Sequence, residues 1–227
     1  MIPERFRGPE ASANGGYTCG TIAELVNADI VEVTLRKPPP LDVAMAIERG
    51  GDTVQVWHEG GLVAEARPGV LDLEPPPAPG FGEAKSLSDA REDDPDHPFP
   101  GCFVCGPAGD GLRLRPAPLG DGRVAAPWRV ASAFAGERFV WAALDCPGGW
   151  AVQPDASRGI SFLGRLTAAV YSAPEAGDEC VVVGWPLGEP DGRKLHAGTA
   201  VFRDGSLLAL GRAVWLTMDD TVRDAAR

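Results

Sequence analysis

The chain has 227 residues, a formal net charge of −11 at pH 7 and a hydrophobic content of 44%. This length fits one large domain or two small ones with a substantial core, and the composition excludes a wholly disordered protein. The negative charge argues against a nucleic-acid backbone or an anionic membrane as the main partner.

The sequence lacks the signals of a membrane or secreted protein. No apolar run reaches the roughly 18 residues of a transmembrane helix, and residues 1–7 lack the apolar core of a signal peptide. The five cysteines do not form an even framework of the kind that disulfide scaffolds show. We therefore expect a soluble, cytoplasmic protein.

A proline-rich and acidic segment separates two halves of the sequence. Residues 75–80 read Pro-Pro-Pro-Ala-Pro-Gly, a stiff breaker, and residues 92–96 form an acidic turn. The stretch between them has no sustained apolar periodicity. We predict an N-terminal unit over residues 1–74, a linker over 75–100, a C-terminal unit over 101–219 and a tail over 220–227.

The first half predicts one helix followed by strands. A short strand at 5–8 precedes a helix that begins at Gly15 or Gly16, after Asn14 as N-cap, and continues to Val26. Further strands are predicted at 31–36, 42–49, 53–58 and 62–66. The Glu-Gly-Gly sequence at 59–61 indicates a hairpin turn between the last two.

The second half repeats this order. The pattern predicts a helix at 137–146 and strands at 112–115, 123–130, 167–171, 179–185, 194–203 and 207–217. Residues 56–64 align with residues 201–209, because both combine an aromatic strand end, an acidic-Gly turn and an apolar returning strand; this favours an internal duplication. Each half predicts an α+β unit, and joining two such sheets edge to edge would remove one exposed edge from each.

Three short segments of the sequence resemble motifs of a known family. Residues 102–107, Cys-Phe-Val-Cys-Gly-Pro, followed by Gly-Leu at 111–112, resemble the opening of phenylacetate-type hotdog thioesterases. The Asn-Gly-Gly-Tyr sequence at 14–17 resembles the helix entry of acyl-CoA thioesterases, and residues 139–145 resemble the aspartate-bearing second-half helix of the thioesterase II type. The resemblance covers nearly the whole chain and implies a double hotdog, two tandem repeats that each wrap a sheet around a long helix.

One departure from the thioesterase II pattern leaves the activity open. In that type a threonine and a glutamine accompany the helix aspartate. Ser161 and Thr167 offer hydroxyl groups here, but the final predicted strand contains no glutamine, and the chain has only Gln55 and Gln153. The resemblance implies an acyl-CoA thioesterase; a non-catalytic protein that binds acyl thioesters or small apolar ligands is the alternative. A hotdog hydratase ranks last, because no histidine lies between His97 and His196.

Two carboxylates are candidates for catalysis. Thioester hydrolysis needs a carboxylate as base or nucleophile and donors for the carbonyl oxygen. Asp145 follows an apolar helix and precedes Pro147, and apolar surroundings raise the pKa of a carboxyl group. The residues fit equally well with Asp145 as N-cap of a new turn begun by Pro147; the resemblance favours catalysis. Glu24 is its first-half counterpart, although a solvent-facing helix glutamate is the commoner case.

Several other residues are candidates for substrate binding. Backbone N–H groups of Asn14, Gly15 and Gly16 could bind a thioester oxygen, or these residues form a plain N-cap with flexible glycines. Ser161 is a possible hydroxyl partner of Asp145. Arg165 could meet the phosphates of coenzyme A, as could Arg212 and Lys194, and surface charge is the alternative for each.

A metal site is not predicted. The spacing of Cys102, Cys105 and His97 suits zinc in part, but a structural site needs four ligands, and Cys146 would have to come from a distant helix. We therefore expect no metal, redox pair or cofactor. The expected partners are an acyl-thioester substrate and further copies of the chain in a homo-oligomer, with neither nucleic acid nor membrane.

Overall fold

The structure, a computed structural model, describes residues 1–91, 97–107, 110–153 and 160–218. Its helices are α1 (Gly15–Ala23), α2 (Phe81–Ala90), α3 (Glu137–Ala143) and α4 (Cys146–Val152). Its strands are β1 (Ile30–Leu35), β2 (Ala46–Gly50), β3 (Thr53–His58), β4 (Gly61–Pro68), β5 (Ala117–Pro118), β6 (Val124–Arg129), β7 (Ile160–Val170), β8 (Glu179–Pro186), β9 (Lys194–Arg203) and β10 (Ser206–Met218). No helix among the described residues is both long and apolar enough to cross a membrane.

The ten strands form one antiparallel sheet in the order β2-β3-β4-β1-β7-β10-β9-β8-β6-β5. The inner eight strands are arranged symmetrically about the pairing of β1 with β7, where Val33 lies opposite Leu166, and β6 and β5 extend the second half. On either side follow β4 and β10, then β3 and β9, then β2 and β8. The expected α+β architecture, two antiparallel sheets joined edge to edge, is confirmed.

The two aligned hairpins have the same turn. Glu59 and Gly60 join β3 to β4 with φ of 48° and 71°, and Asp204 and Gly205 join β9 to β10 with φ of 49° and 78°. Positive φ at both central residues is the geometry that matches the right-handed twist of hairpin strands. The sequence similarity of the two segments therefore corresponds to a shared backbone conformation.

The helices α1 and α3 contact each other on one face of the sheet. This approach requires glycine in α1, because a Cβ atom at Gly20 would lie 2.7 Å from the Cβ of Trp141. The main core fills the space between these helices and the sheet, with Phe103, Leu144 and Leu166 at most 1% exposed. The helix contact brings the start of α1 beside the end of α3.

The opposite face of the second-half sheet has a cover of its own. Leu71, Leu73, Ala78 and Phe81 pack there against an apolar cluster that contains Trp185 and Phe202. The predicted linker therefore contains a helix, α2, which the sequence analysis missed. This helix contacts β6.

Several predicted elements differ from the observed ones. The predicted strand at 112–115 is not part of the sheet; Leu112 and Leu114 instead donate backbone hydrogen bonds to Phe103 and Val104. Residues 4–6 form a 3₁₀ turn where a strand was predicted, and α1 ends at Ala23. The second-half helix is also interrupted: α3 ends at Ala143 and α4 begins at Cys146.

Candidate active site

The N-terminus of α1 is the first component of the site. Asn14 has extended backbone angles, and its Oδ1 accepts a hydrogen bond from the N–H of Tyr17 at 2.8 Å, as expected of an N-cap. A Cβ atom at Gly16 would lie 2.5 Å from the Cβ of Asp145 and 2.6 Å from the carbonyl oxygen of Trp141. Only glycine therefore lets the first turn of α1 approach the junction of α3 and α4.

Asp145 is the second component, and its side chain crosses from the second half to the first. Its Oδ2 accepts hydrogen bonds from the Gly16 N–H at 2.9 Å and from Asn14 Nδ2 at 2.8 Å. The residue is 2% exposed, and within the described part of the chain its Oδ1 has no hydrogen-bond partner. Burial raises the pKa of Asp145 to about 7, against the opposing effect of the hydrogen bond from Gly16.

The N-cap alternative for Asp145 does not match this geometry. Asp145 occupies the position before α4, and its side chain makes no capping hydrogen bond there. The backbone at this residue has φ of −80° and ψ of −87°, which breaks the helix and directs the carboxylate toward α1.

Glu24, the second carboxylate considered, lies elsewhere. It is the C-cap of α1, eight residues or about 12 Å along the helix from Gly16. Its carboxylate pairs with the guanidinium of Arg138 on α3, with Nε and Oε1 at 3.0 Å. This pair raises the pKa of Arg138 above its usual range. The side chain of Glu24 is 42% exposed, so the structure places it in a surface ion pair between α1 and α3.

Ser161 and Arg165 both lie on β7 but in different surroundings. Ser161 lines a cavity with Cys146, Trp215 and Trp150, beside the residue that follows Asp145. No hydrogen bond joins Ser161 to Asp145 among the described residues. Arg165 donates from Nε to Thr34 at 3.0 Å and pairs with Glu32 at 3.5 Å, next to Leu166 of the main core. Because strand neighbours alternate in direction, Arg165 faces away from the helices.

The structure also assembles a cluster that the sequence analysis did not predict. The sulfur atoms of Cys102, Cys105 and Cys146 all lie within 4.8 Å of one another. Cys102 is also 3.8 Å from Asn14 Nδ2, so the cluster borders the Asp145 site. The Cys-x-x-Cys-Gly spacing and a further cysteine next to Asp145 were the available signals, but their proximity depends on tertiary packing.

Comparison with known proteins identifies the fold. No known family model and no curated protein matches the sequence. A conserved protein of unknown function with a hot dog fold from Alicyclobacillus acidocaldarius superposes with a TM-score of 0.66 at 15% identity, covering 96% of this chain and 91% of that one.

Two further solved structures are also similar. A candidate thioesterase from Novosphingobium aromaticivorans has a TM-score of 0.63 at 15% identity and covers 96% of this chain and 94% of its own. The tesB protein of Mycobacterium avium subsp. paratuberculosis has a TM-score of 0.56 at 14% identity, and the match covers 93% of this chain and 89% of that one. Likeness at such identities is evidence for the fold alone. Together with the paired arrangement of the two half-sheets, it shows that this chain has a double hotdog fold.

Proposed function

We propose that this protein hydrolyses acyl thioesters, with acyl-coenzyme A as the substrate and Asp145 as the catalytic carboxylate. The observation that carries the proposal is the hydrogen bonding of Asp145 to the first turn of α1, across the junction of the two halves. A buried carboxylate beside a helix N-terminus combines a proton acceptor with amide donors, the two components that thioester hydrolysis needs.

The two carboxylate oxygens of Asp145 have different roles in this proposal. Asn14 and Gly16 hold Oδ2, and Oδ1 accepts the proton of the attacking water. The water oxygen bonds to the carbonyl carbon, the carbon–sulfur bond breaks, and the proton passes to the departing thiolate. The products are a carboxylic acid and a free thiol, so the step is balanced without a cofactor.

The N-terminus of α1 supplies the donors for the carbonyl oxygen. We assign the Gly15 N–H to this role, because the first amides of a helix lack intrahelical partners and carry the positive end of its dipole. The apolar cavity lined by Ser161, Trp150 and Trp215 is assigned to the acyl group, because it borders Cys146. Arg165 has the weakest support as a phosphate ligand, because Thr34 and Glu32 already engage its guanidinium.

A panel of acyl-CoA substrates with colorimetric detection of free thiol tests this proposal. We expect thiol release by the wild type with at least one acyl chain and its loss in Asp145→Asn. Asp121→Asn is the matched control, because that carboxylate is half exposed and pairs with Arg123. Absence of thiol release by the wild type across short, long and aromatic acyl groups would contradict the proposal.

Two observations favour a second function. Asp145 is 2% exposed, and the last strand β10 presents Ala213, Val214 and Trp215 without a glutamine. This arrangement fits a hotdog protein that binds an acyl thioester or small apolar ligand without cleaving it. Saturable binding of an acyl-CoA, measured by calorimetry in the absence of thiol release, would establish this alternative.

We also propose a homo-oligomer located in the cytoplasm. The edge strand β2 is exposed along its length and remains open to pairing, which supports association. The face of the second-half sheet opposite α1 and α3 is less available for contacts between copies of the chain, because residues 71–84 cover it. All five cysteines are free, which suits a reducing compartment. Light scattering that reports a monomer at micromolar concentration would contradict the assembly.

A further inference from the structure

We propose that Cys102, Cys105 and Cys146 form a binding site for one zinc ion, held by three thiolates with a fourth position open to the adjacent cavity. The site borders the Asp145 site, but the proposed zinc ion takes no part in the reaction proposed for Asp145. It uses two residues from the loop before β5 and one from the start of α4, brought together by the fold.

The spacing of the sulfur atoms fits a tetrahedral ion. With zinc–sulfur bonds of about 2.3 Å, two thiolates of one tetrahedron lie about 3.8 Å apart. The sulfurs of Cys102 and Cys146 are 3.8 Å apart, and all three sulfurs lie within 4.8 Å of one another. A disulfide would need about 2.05 Å, and the cysteines are free. One pair therefore already has the separation that zinc requires, and Cys105 needs a shift of about one ångström at most.

The backbone holds Cys102 and Cys105 in a tight turn. The Gly106 N–H donates to the Cys102 carbonyl at 2.8 Å, and the Cys102 N–H donates to Phe99 at 3.0 Å, which closes a tight turn. Glycine is required at 106, because a Cβ atom there would lie 2.5 Å from the Cys102 nitrogen.

A side-chain donor also lies beside the Cys102 sulfur. Asn14 Nδ2 is 3.8 Å from this sulfur and can donate a hydrogen bond to it. An N–H donor stabilises the deprotonated form of a thiol, which is the form that binds metals.

The fourth coordination position faces a space that a ligand can enter. Cys105 is only partly buried, and Cys105 and Cys146 both line the cavity that contains His97 and Ser161. Zinc sites that are accessible to small molecules have three protein ligands and a fourth coordination position whose ligand can exchange. We assign water to this position in the resting protein.

The direct test is metal content and metal titration of the full-length, reduced protein. We expect about one zinc per chain after expression with zinc, release of that zinc by a thiol-modifying reagent, and an increase in melting temperature when zinc is returned. Titration with cadmium should produce the ultraviolet charge-transfer absorption of cadmium thiolates and saturate at one ion per chain. This measurement needs no variant.

Cys105→Ser is the variant of choice, because this partly exposed ligand contributes least to the core. We expect its zinc affinity to fall by at least about 100-fold, since even loss of an outer-shell partner costs about 10–100-fold. Cys180→Ala is the matched control: its thiol is buried on β8, outside the cluster, and its loss should leave the stoichiometry unchanged. Two results would overturn the proposal. One is a cadmium titration without thiolate absorption; the other is a disulfide among the three cysteines, trapped by alkylation in freshly lysed cells.

Discussion

The carboxylate of Asp145 accepts a hydrogen bond from the backbone N–H of Gly16 at 2.9 Å, although 129 positions separate the two residues in the sequence. The contact joins the junction of α3 and α4 to the first turn of α1, so it exists only when both halves of the chain are folded together. It also leaves no room for a side chain at position 16. The packing of the two halves and the proposed chemistry therefore depend on the same contact.

Substitution of Gly16 should reveal how closely the two halves approach. In Gly16→Ala the new Cβ would meet Asp145 and the Trp141 carbonyl at 2.5 and 2.6 Å, and relief of this overlap has to separate α1 from α3. We expect a loss of about 1–3 kcal/mol in the free energy of unfolding, measured with urea.

Gly82→Ala is the matched control for that measurement. Gly82 lies in α2 with no atom within 4 Å of the new Cβ, so the substitution should be neutral or stabilise by up to about 1 kcal/mol. Equal effects of the two substitutions would show that helix propensity, and not the contact between α1 and α3, determines the result.

Glu24→Gln should have little effect on thiol release, because its side chain lies in a surface ion pair with Arg138. We expect turnover to remain within about threefold of the wild type, far from the range of a lost catalytic base. A double-mutant cycle with Arg138→Gln should give a coupling energy of about 1 kcal/mol or less, because both groups are more than one-third exposed. A hundredfold loss of turnover in Glu24→Gln would instead identify it as a catalytic residue.

The cover formed by α2 should be essential for stability. Ala84 is fully buried against the second apolar cluster, so Ala84→Asp places a carboxylate there and should cost about 1–3 kcal/mol or more. Increased binding of a hydrophobic dye should accompany the lower melting temperature. Ala90→Asp, at the exposed end of the same helix, is the control and should cost well under 1 kcal/mol. Similar losses in both variants would indicate an effect of charge on α2 and not of the buried contact.

The sequence predicts those parts of the fold that depend on local pattern. Strand β9 has the predicted bounds, and β3 does as well, because alternating β-branched and aromatic residues end at acidic-Gly turns. Helix α2 was missed, because Phe81 and Ala84 pack against a sheet face that no local pattern reveals. The sequence also indicated the apolar surroundings of Asp145. It did not predict the hydrogen-bond partners of this carboxylate, because they come from the other half of the chain.

The cysteine cluster is a second case in which local sequence patterns do not predict a tertiary contact. Cys102 and Cys105 are three positions apart in the sequence, and two cysteines at this spacing do not complete a zinc site. Cys146 reaches them only because the helix breaks at Asp145 and begins again with Cys146 as the first residue of α4. A third ligand that depends on a helix break is set by tertiary structure, which is why the sequence analysis predicted no metal.

The most direct test of the account is thiol release by Asp145→Asn, compared with the wild type and with Asp121→Asn on the same acyl-CoA. Asparagine keeps the size of the side chain and can still accept the Gly16 hydrogen bond, but it removes the proton acceptor. We predict a fall in turnover of about 10²–10⁴-fold with a largely retained melting temperature, and full activity in Asp121→Asn. Wild-type turnover in a folded Asp145→Asn protein would contradict the assignment of Asp145 as the catalytic carboxylate.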